Sequence, residues 1–257
     1  MVNDILKLKA EGLTYKQISS KLKISSKTIW KLLKDNKLVK TRQKELTHDY
    51  FSKIDNSKKA YLLGLIMADG CISSKRNSIT LSLKKEDRYM LEFLKDQLNS
   101  QNVITEMGNS FRISINSKQI VNDLKKLGCV DRKTYKNSDF PKIPHNLIND
   151  FIRGYFDGDG HISAKEYSQK YSRICYNFNI LAQEKYKNFI VDYFSINYKV
   201  SLSVYPKKDC KNNLYILKTG KLTDIIKIFD LLYNGGNVYL ERKKRIWNNI
   251  INKTSRR

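Results

Sequence analysis

Histidine is scarce in this chain: His48, His145 and His161 are the only three in 257 residues. That excludes a site built on clustered imidazoles. Four cysteines (Cys71, Cys129, Cys175, Cys210) lie far apart with no C-x-x-C pair. The pattern excludes a zinc ribbon and reads as reduced thiols of a cytosol-like compartment. Proline is limited to three positions, two of them in Asp139-Phe140-Pro141-Lys142-Ile143-Pro144. No apolar run approaches the roughly 20 residues that cross a bilayer, and the first residues lack a signal-peptide core. The expectation is a protein of the cytoplasm or another intracellular compartment, neither secreted nor membrane-bound.

Acidic side chains are also in short supply, 25 against 49 Lys and Arg, for a net charge of +24. The excess is not confined to a tail. Residues 1–44 hold twelve bases and three acids, and residues 57–257 hold thirty-six and nineteen. Such a field favours a polyanion, because neutralising phosphates releases counterions. An acidic membrane surface is the rival partner, but no basic amphipathic segment carries a broad Trp/Leu face.

Within residues 1–44, three short helices are expected. The first spans 2–11 with Ile5, Leu6 and Leu8 inward, and Gly12 breaks it. Thr14 caps the second, Tyr15 to Leu22, with Ile18 and Leu22 on one face. Ser25 or Ser26 caps the third, which runs to Asn36 with Ile29, Leu32 and Leu33 inward. The turn between the last two suits a helix-turn-helix, whose third helix would enter a major groove. Ser26, Lys27, Thr28, Trp30 and Lys31 are the exposed candidates for DNA contact. Residues 45–56 have no clear period and read as a linker.

From residue 57 the chain repeats itself. The first copy (57–138) reads helix, two strands, helix, two strands, helix; the second (147–257) follows the same order and adds a closing helix. A proline-bearing link, 139–146, joins them. The strands alternate: Ile79, Leu81 and Leu83 against Thr80, Ser82 and Lys84, and Phe111, Ile113 and Ile115 against Arg112, Ser114 and Asn116. In the second copy Ile174, Tyr176, Phe178 and Ile180 oppose Arg173, Asn177 and Asn179. Val200, Leu202 and Val204 oppose Lys199, Ser201, Ser203 and Tyr205. A period of two means antiparallel sheets with one face on helices and one face polar and basic. The class is α+β: two pseudo-symmetric αββαββα repeats behind a small all-α domain.

One stretch occurs twice, Leu62-Leu63-Gly64-Leu65-Ile66-Met67-Ala68-Asp69-Gly70 and Ile152-Arg153-Gly154-Tyr155-Phe156-Asp157-Gly158-Asp159-Gly160. In each, small residues four apart share a helix face (Gly64/Ala68, Gly154/Gly158), so another helix can approach closely. Gly70 and Gly160 suit the left-handed position just past a helix C-terminus. Asp69 and Asp159 then occupy the last turn, where the helix dipole disfavours a carboxylate. If the two helices cross on a pseudo-dyad, these acids meet, and either one pKa rises strongly or divalent cations bind between them. Ligands that are all oxygen favour Mg²⁺ over zinc.

These paired segments resemble the motifs of the LAGLIDADG homing endonucleases, and residues 57–257 follow that family's duplicated order. The resemblance implies saddle-shaped sheets over double-stranded DNA, a monomer with internal pseudo-twofold symmetry, and Mg²⁺-dependent cutting with two or more ions, Mn²⁺ able to substitute. Asp69 and Asp159 match the metal ligands, with the Ala68 and Gly158 carbonyls beside them. Met67 departs from the family pattern at the earlier acid, which the second copy keeps as Asp157. Lys133 and Lys243, after the third helix of each copy, match the lysines that the family places near its sites; the alternatives are their neighbours Lys136 and Lys244, or a plain phosphate-backbone contact by each. Gln183 is a further polar candidate. Base or phosphate contacts would come from Thr80, Ser82, Lys84, Arg112, Ser114 and Asn116, and from Arg173, Asn177, Ser201, Ser203 and Tyr205. Two unlike faces imply a long asymmetric target, cut across the minor groove to leave short 3′ overhangs. A non-cleaving regulator on the same scaffold and a maturase holding its intron RNA are the alternatives. Inteins and nucleases of the HNH or GIY-YIG kind lack their motifs here.

Overall fold

The computed structural model describes residues 1–36, 38, 45–130, 140–168, 173–208 and 214–254. They divide into two compact units, Met1–Leu46 and Thr47–Arg257. In the first unit, α1 (Val2–Ala10), α2 (Tyr15–Leu22) and α3 (Ser26–Asp35) enclose Ile5, Leu8, Ile18, Ile29 and Leu33. Gly12, at φ +83°, ends the first helix. Thr14 and Gln17 form a reciprocal capping box that starts α2, and Ser25 accepts from the Thr28 N–H to start α3. Lys23 takes a left-handed conformation in the short turn between them. Leu6 and Leu32, expected inward, pack only partly buried at the margin of this core.

The second unit begins earlier than its composition suggests. Residues 47–56, expected as linker, are integral to it. The Thr47 N–H donates to Leu98 O at 2.9 Å, the Tyr50 hydroxyl to Gln97 Oε1 at 3.3 Å, and Phe51 and Ile54 are buried. The local polarity of this segment hides an apolar spacing (Tyr50, Phe51, Ile54) that only the neighbouring helix gives meaning. Phe140 is likewise no free linker residue, because it stacks on Phe189 and meets Phe151 and Tyr186 edge-on.

Two matching arrays follow. The first is α4 (Ser57–Asp69), β1 (Gly70–Ser73), β2 (Ser78–Lys84), α5 (Arg88–Gln97), β3 (Thr105–Met107), β4 (Ser110–Asn116) and α6 (Lys118–Lys126). The second is α7 (Ile148–Asp159), β5 (Gly160–Ser168), β6 (Arg173–Gln183), α8 (Glu184–Tyr198), β7 (Ser203–Pro206), β8 (Leu214–Thr219) and α9 (Leu222–Tyr233), with α10 (Glu241–Thr254) last. Each array makes a four-stranded antiparallel sheet in the same order, β1-β2-β4-β3 and β5-β6-β8-β7. The apolar faces (Ile79, Leu81, Ile113, Ile115; Phe178, Ile180, Leu217) are buried.

The strand expected over 199–206 is shorter. Val200 and Leu202 are buried, but the strand itself starts at Ser203 and all four of its residues are exposed, Val204 included. An edge strand with nothing packed over it loses the inside-outside contrast that alternation implies.

Candidate functional site

Helices α4 and α7 lie against each other at backbone distance. A Cβ on Gly64 would stand 2.1 Å from Phe151 O, and one on Gly154 would stand 2.0 Å from Tyr61 O. Phe151 and Tyr61 occupy the same position in the two copies, so the contact is reciprocal, as a pseudo-twofold axis requires. Further along, a Cβ on Gly158 would fall 2.3 Å from the Ala68 Cβ and 3.3 Å from Asp69 Oδ2. The absent side chain at Gly158 therefore leaves the space that the Asp69 carboxylate needs beside the peptide leading into Asp159. Asp69 is exposed and Asp159 half-buried.

The glycines that follow these acids act differently from expectation. Gly70 (φ −74°) and Gly160 (φ −96°) are extended rather than left-handed. What requires glycine is space: a Cβ on Gly70 would meet Ile66 O at 2.5 Å, and one on Gly160 the Phe156 ring at 2.1 Å. Each chain turns straight from helix into the first strand of its sheet, pressed on the last helical turn.

Lys243 is buried beneath the C-terminal end of α7, where its Nζ donates to Phe156 O and to Gly160 O (2.7 Å). Orphan carbonyls at a helix end are a favourable place for a cation. Burial pulls its pKa down to about 8, while the charges of Asp157, Asp69 and Asp159 pull it back up. An exposed phosphate contact is excluded for a side chain so enclosed. Trp247 and Ile250 form the buried stripe of α10, buried Leu240 lies just ahead of its first residue, and Lys243 interrupts that stripe one turn before Trp247. Lys244, one residue on, falls beside that stripe and is only half-buried. Lys133 lies outside the described residues.

Asp157 has a role that residue type did not reveal. It is fully buried and accepts from Tyr61 Oη (2.7 Å), Tyr233 Oη (2.5 Å) and the Leu240 N–H (2.7 Å), tying α7 to α4, to α9 and to the start of α10. Desolvation raises its pKa; Lys243 and these three donors oppose the rise. At the matching position Met67 receives the Tyr186 hydroxyl at 3.1 Å on its sulfur. Arg153 is a second buried anchor, donating to Val238 O (2.8 Å) and Leu232 O (2.7 Å). Gln183 lines a cleft of about 230 Å³ together with Asp159, Ala68 and Leu181.

The Lys243 shift has a testable consequence. Below about pH 8 the ammonium is charged in both folded and unfolded chains, and the folded state carries the whole cost of burying it. Between about 8 and 10.5 the unfolded chain binds more protons, so this lysine's share of stability rises with pH. In urea unfolding at about pH 7 and about pH 9.5, the unaltered protein should gain roughly 2 kcal/mol on Lys243→Met over that interval. Equal shifts in the two proteins would show that the ammonium is not desolvated.

On the outer face of the first sheet, Thr80 pairs across to Ser114 (Oγ1 to Oγ 3.1 Å), and Arg112 Nε donates to Ser82 Oγ at 2.9 Å. Lys84 and Asn116 are exposed on the same face. On the second sheet, Ser203 and Tyr205 are exposed, Asn177 is half-buried, and exposed Ser201 precedes its strand. The side chain of Arg173 lies outside the described residues. The register adds His161, Asn179 and Lys218 to this face, His161 opposite Asn179 and Asn179 opposite Lys218; the alternation of residues 214–219 was the signal for Lys218. In the smaller unit, Lys27, Trp30 and Lys31 are exposed on α3. The Ser26 hydroxyl donates to Tyr15 O at 3.3 Å and that of Thr28 meets Ser25 Oγ at 2.8 Å, so both already serve the helix start.

Residues 56–110 match the model of the LAGLIDADG-like domain. Sequence comparison with curated proteins finds no match. Among solved structures, the meganuclease I-SmaMI bound to uncleaveable DNA superposes with a TM-score of 0.56 over 78% of this chain and 88% of its own, at 13% identity. The two-sheet architecture is therefore shared over most of both chains with a protein of very different sequence. This is the LAGLIDADG fold. I-AabMI bound to uncleaved DNA (TM-score 0.55, 15% identity, 78% and 91% covered) and I-LtrWI bound to target DNA (0.55, 12%, 82% and 92%) share the LAGLIDADG fold with this chain as well. In its LAGLIDADG crossing the helix ends bring together Asp69, the Gly158–Asp159 peptide and Lys243. Among the described residues no helix is long and apolar enough to cross a membrane.

Proposed function

We propose that this chain is a site-specific, double-strand DNA endonuclease that uses divalent metal. The observation that carries this reading is the Asp69 carboxylate set beside the Gly158–Asp159 peptide at the crossing of two helices. Each of these helices runs directly into a sheet whose outer face carries polar and basic side chains, among them Thr80, Arg112 and Ser114 on the first and Asn179 and Lys218 on the second.

The donor set fits a hard cation. Among the described residues no group of three His, Cys, Asp or Glu side chains is arranged to hold a metal ion by side chains alone. The carboxylates of Asp69 and Asp159, with the Ala68 and Gly158 carbonyls, would hold Mg²⁺, with phosphate and water completing the shell. Two or more such ions, Mg²⁺ or Mn²⁺, would polarise the scissile phosphate, activate water and stabilise the leaving oxygen. The chain's own residues do the rest. The glycine crossing fixes where the two carboxylates stand, and Asp157 holds that crossing to the elements behind it. Lys243 offsets the negative end of α7 next to the acids. Gln183, which lines the cleft with Asp159, would orient water or phosphate.

Two sheets with unlike outer faces suit a long, asymmetric duplex target, engaged by one chain and cut to short 3′ overhangs. The three-helix unit adds a helix-turn-helix contact through Ser26, Lys27, Thr28 and Lys31. That I-SmaMI, I-AabMI and I-LtrWI are each bound to DNA in their structures supports the polyanion partner that the net charge already calls for.

A pool of randomised duplex DNA incubated with Mg²⁺ tests this. The full chain should release a defined set of double-strand breaks that EDTA abolishes. Residues 47–257 alone should remain folded and cut the same set at saturating protein, with weaker binding. Selective binding without any break would make the chain a non-cleaving regulator. Loss of cutting in the shorter chain would show that the first unit is part of the cutting machinery.

A further inference from the structure

The sheet registers align the two repeats residue by residue and show where they are chemically unlike. Gly70 pairs with Leu81 as Gly160 pairs with Ile180, and Leu81 pairs with Ile113 as Ile180 pairs with Leu217. One residue further on, on the outer faces, Ser82 opposite Arg112 therefore corresponds to Leu181 opposite Ile216. The third strand completes each row with Thr105 opposite Arg112 and Tyr205 opposite Ile216. These rows lie at equal depth, next to the start of each sheet and so next to Asp69 and Asp159.

In the first row Arg112 is exposed, and Ser82 Oγ holds its Nε at 2.9 Å. That bond fixes the plane of the guanidinium, and its two terminal nitrogens have no partner among the described residues. An oriented fork of this kind matches the O6 and N7 acceptors of guanine. In the second row Leu181 and Ile216 are half-buried side chains beside exposed Tyr205, and nothing in the row can reproduce that fork. Apolar atoms in a major groove have one favourable base partner, the thymine methyl. Lys218, two residues along the strand from Ile216, is exposed on the same face and keeps the surroundings suited to DNA.

We infer that these two rows orient the protein on its target: repeat 1 demands a guanine through Arg112, and repeat 2 takes a thymine at the equivalent position through Leu181 and Ile216. The inference rests on the DNA reading above and adds to it the bases that distinguish the two half-sites.

Selection from a randomised duplex pool in EDTA, where no strand is cut, tests it. The full-length protein should enrich an asymmetric consensus with one G·C pair and one T·A pair at equal distances from its centre. Arg112→Ala should relax the G·C position alone, by roughly 5- to 150-fold in preference. Arg112→Lys, which keeps charge without the fork, should restore overall affinity but not the preference. Replacing the selected thymine by uracil removes only the methyl and leaves the protein untouched; affinity should fall roughly fourfold. An Arg112→Ala consensus identical to that of the parent, or a uniform loss across all sequences, would overturn the inference and leave DNA binding intact. A uracil target bound as tightly as the thymine target would overturn its second half. Enrichment of no sequence at all would overturn both this and the endonuclease reading.

Discussion

Asp159→Asn, and separately Asp69→Asn, should lower double-strand cutting by at least about a thousandfold, roughly 4 kcal/mol of transition-state stabilisation. Asparagine keeps the shape of each side chain and removes only the charge that would draw a cation to the crossing. Asp69 is exposed and Asp159 half-buried, so neither change opens a cavity. Duplex binding should be unchanged or tighter, because a negative charge next to phosphate is lost. Measuring cleavage and binding on the same duplex separates the two effects. Cutting at the parental rate by either variant would remove that residue from the proposed site. Equal losses of binding and cutting would assign the acids to structure instead.

The second large effect is expected from Gly154→Ala. Its new Cβ would meet three backbone atoms, Tyr61 O at 2.0 Å, Tyr61 C at 2.8 Å and Leu65 N at 3.0 Å, none of which a side-chain rotation can move. The helices would have to separate by about 1 Å or more to restore ordinary contact. Overpacking of this kind costs about 3 kcal/mol, and the better helix propensity of alanine returns only about 1 kcal/mol. A net loss of about 2 kcal/mol corresponds to a fall in Tm of roughly 4–8 °C for a chain of this size. Cutting should suffer more than stability does, since the same separation pulls Asp69 away from the Gly158–Asp159 peptide. Gly108→Ala is the control. Nothing lies within 4 Å of its Cβ, and only the positive φ of 58° opposes the change, at about 1 kcal/mol. A Gly154→Ala protein as stable and active as the Gly108→Ala protein would mean that the crossing is looser than described.

Much of this molecule is legible in its sequence because the signals are local. Thr14, Ser25 and Gly12 announce the ends of the first unit's helices through hydrogen bonds within a few residues of themselves. The alternation in β2, β4 and β6 sorts core from surface because each of these strands has one packed face. Where one of those conditions fails, the sequence misleads. Val204 alternates with its neighbours but lies on an uncovered edge. Residues 47–56 look like a linker because the groups that Thr47 and Tyr50 bond, Leu98 O and Gln97 Oε1, come about fifty positions later.

The acids of the repeated segment show the same boundary within one motif. Duplication of Asp69 and Asp159 in a common frame, with small residues four apart, was enough to expect two helices crossing and two carboxylates meeting. Sequence alone determined the repeat, the succession of helices and strands in each copy, the basic charge and the pair of acids, because each depends on residue type and spacing along one chain. Only the tertiary structure decided that Asp157 is a buried tie from α7 to α4 and α9, and that Gly70 and Gly160 are there for space rather than for a left-handed turn. It alone set Lys243, among so many lysines, under a helix end. Those roles are set by atoms that arrive from other parts of the chain, and spacing along the chain carries no record of them.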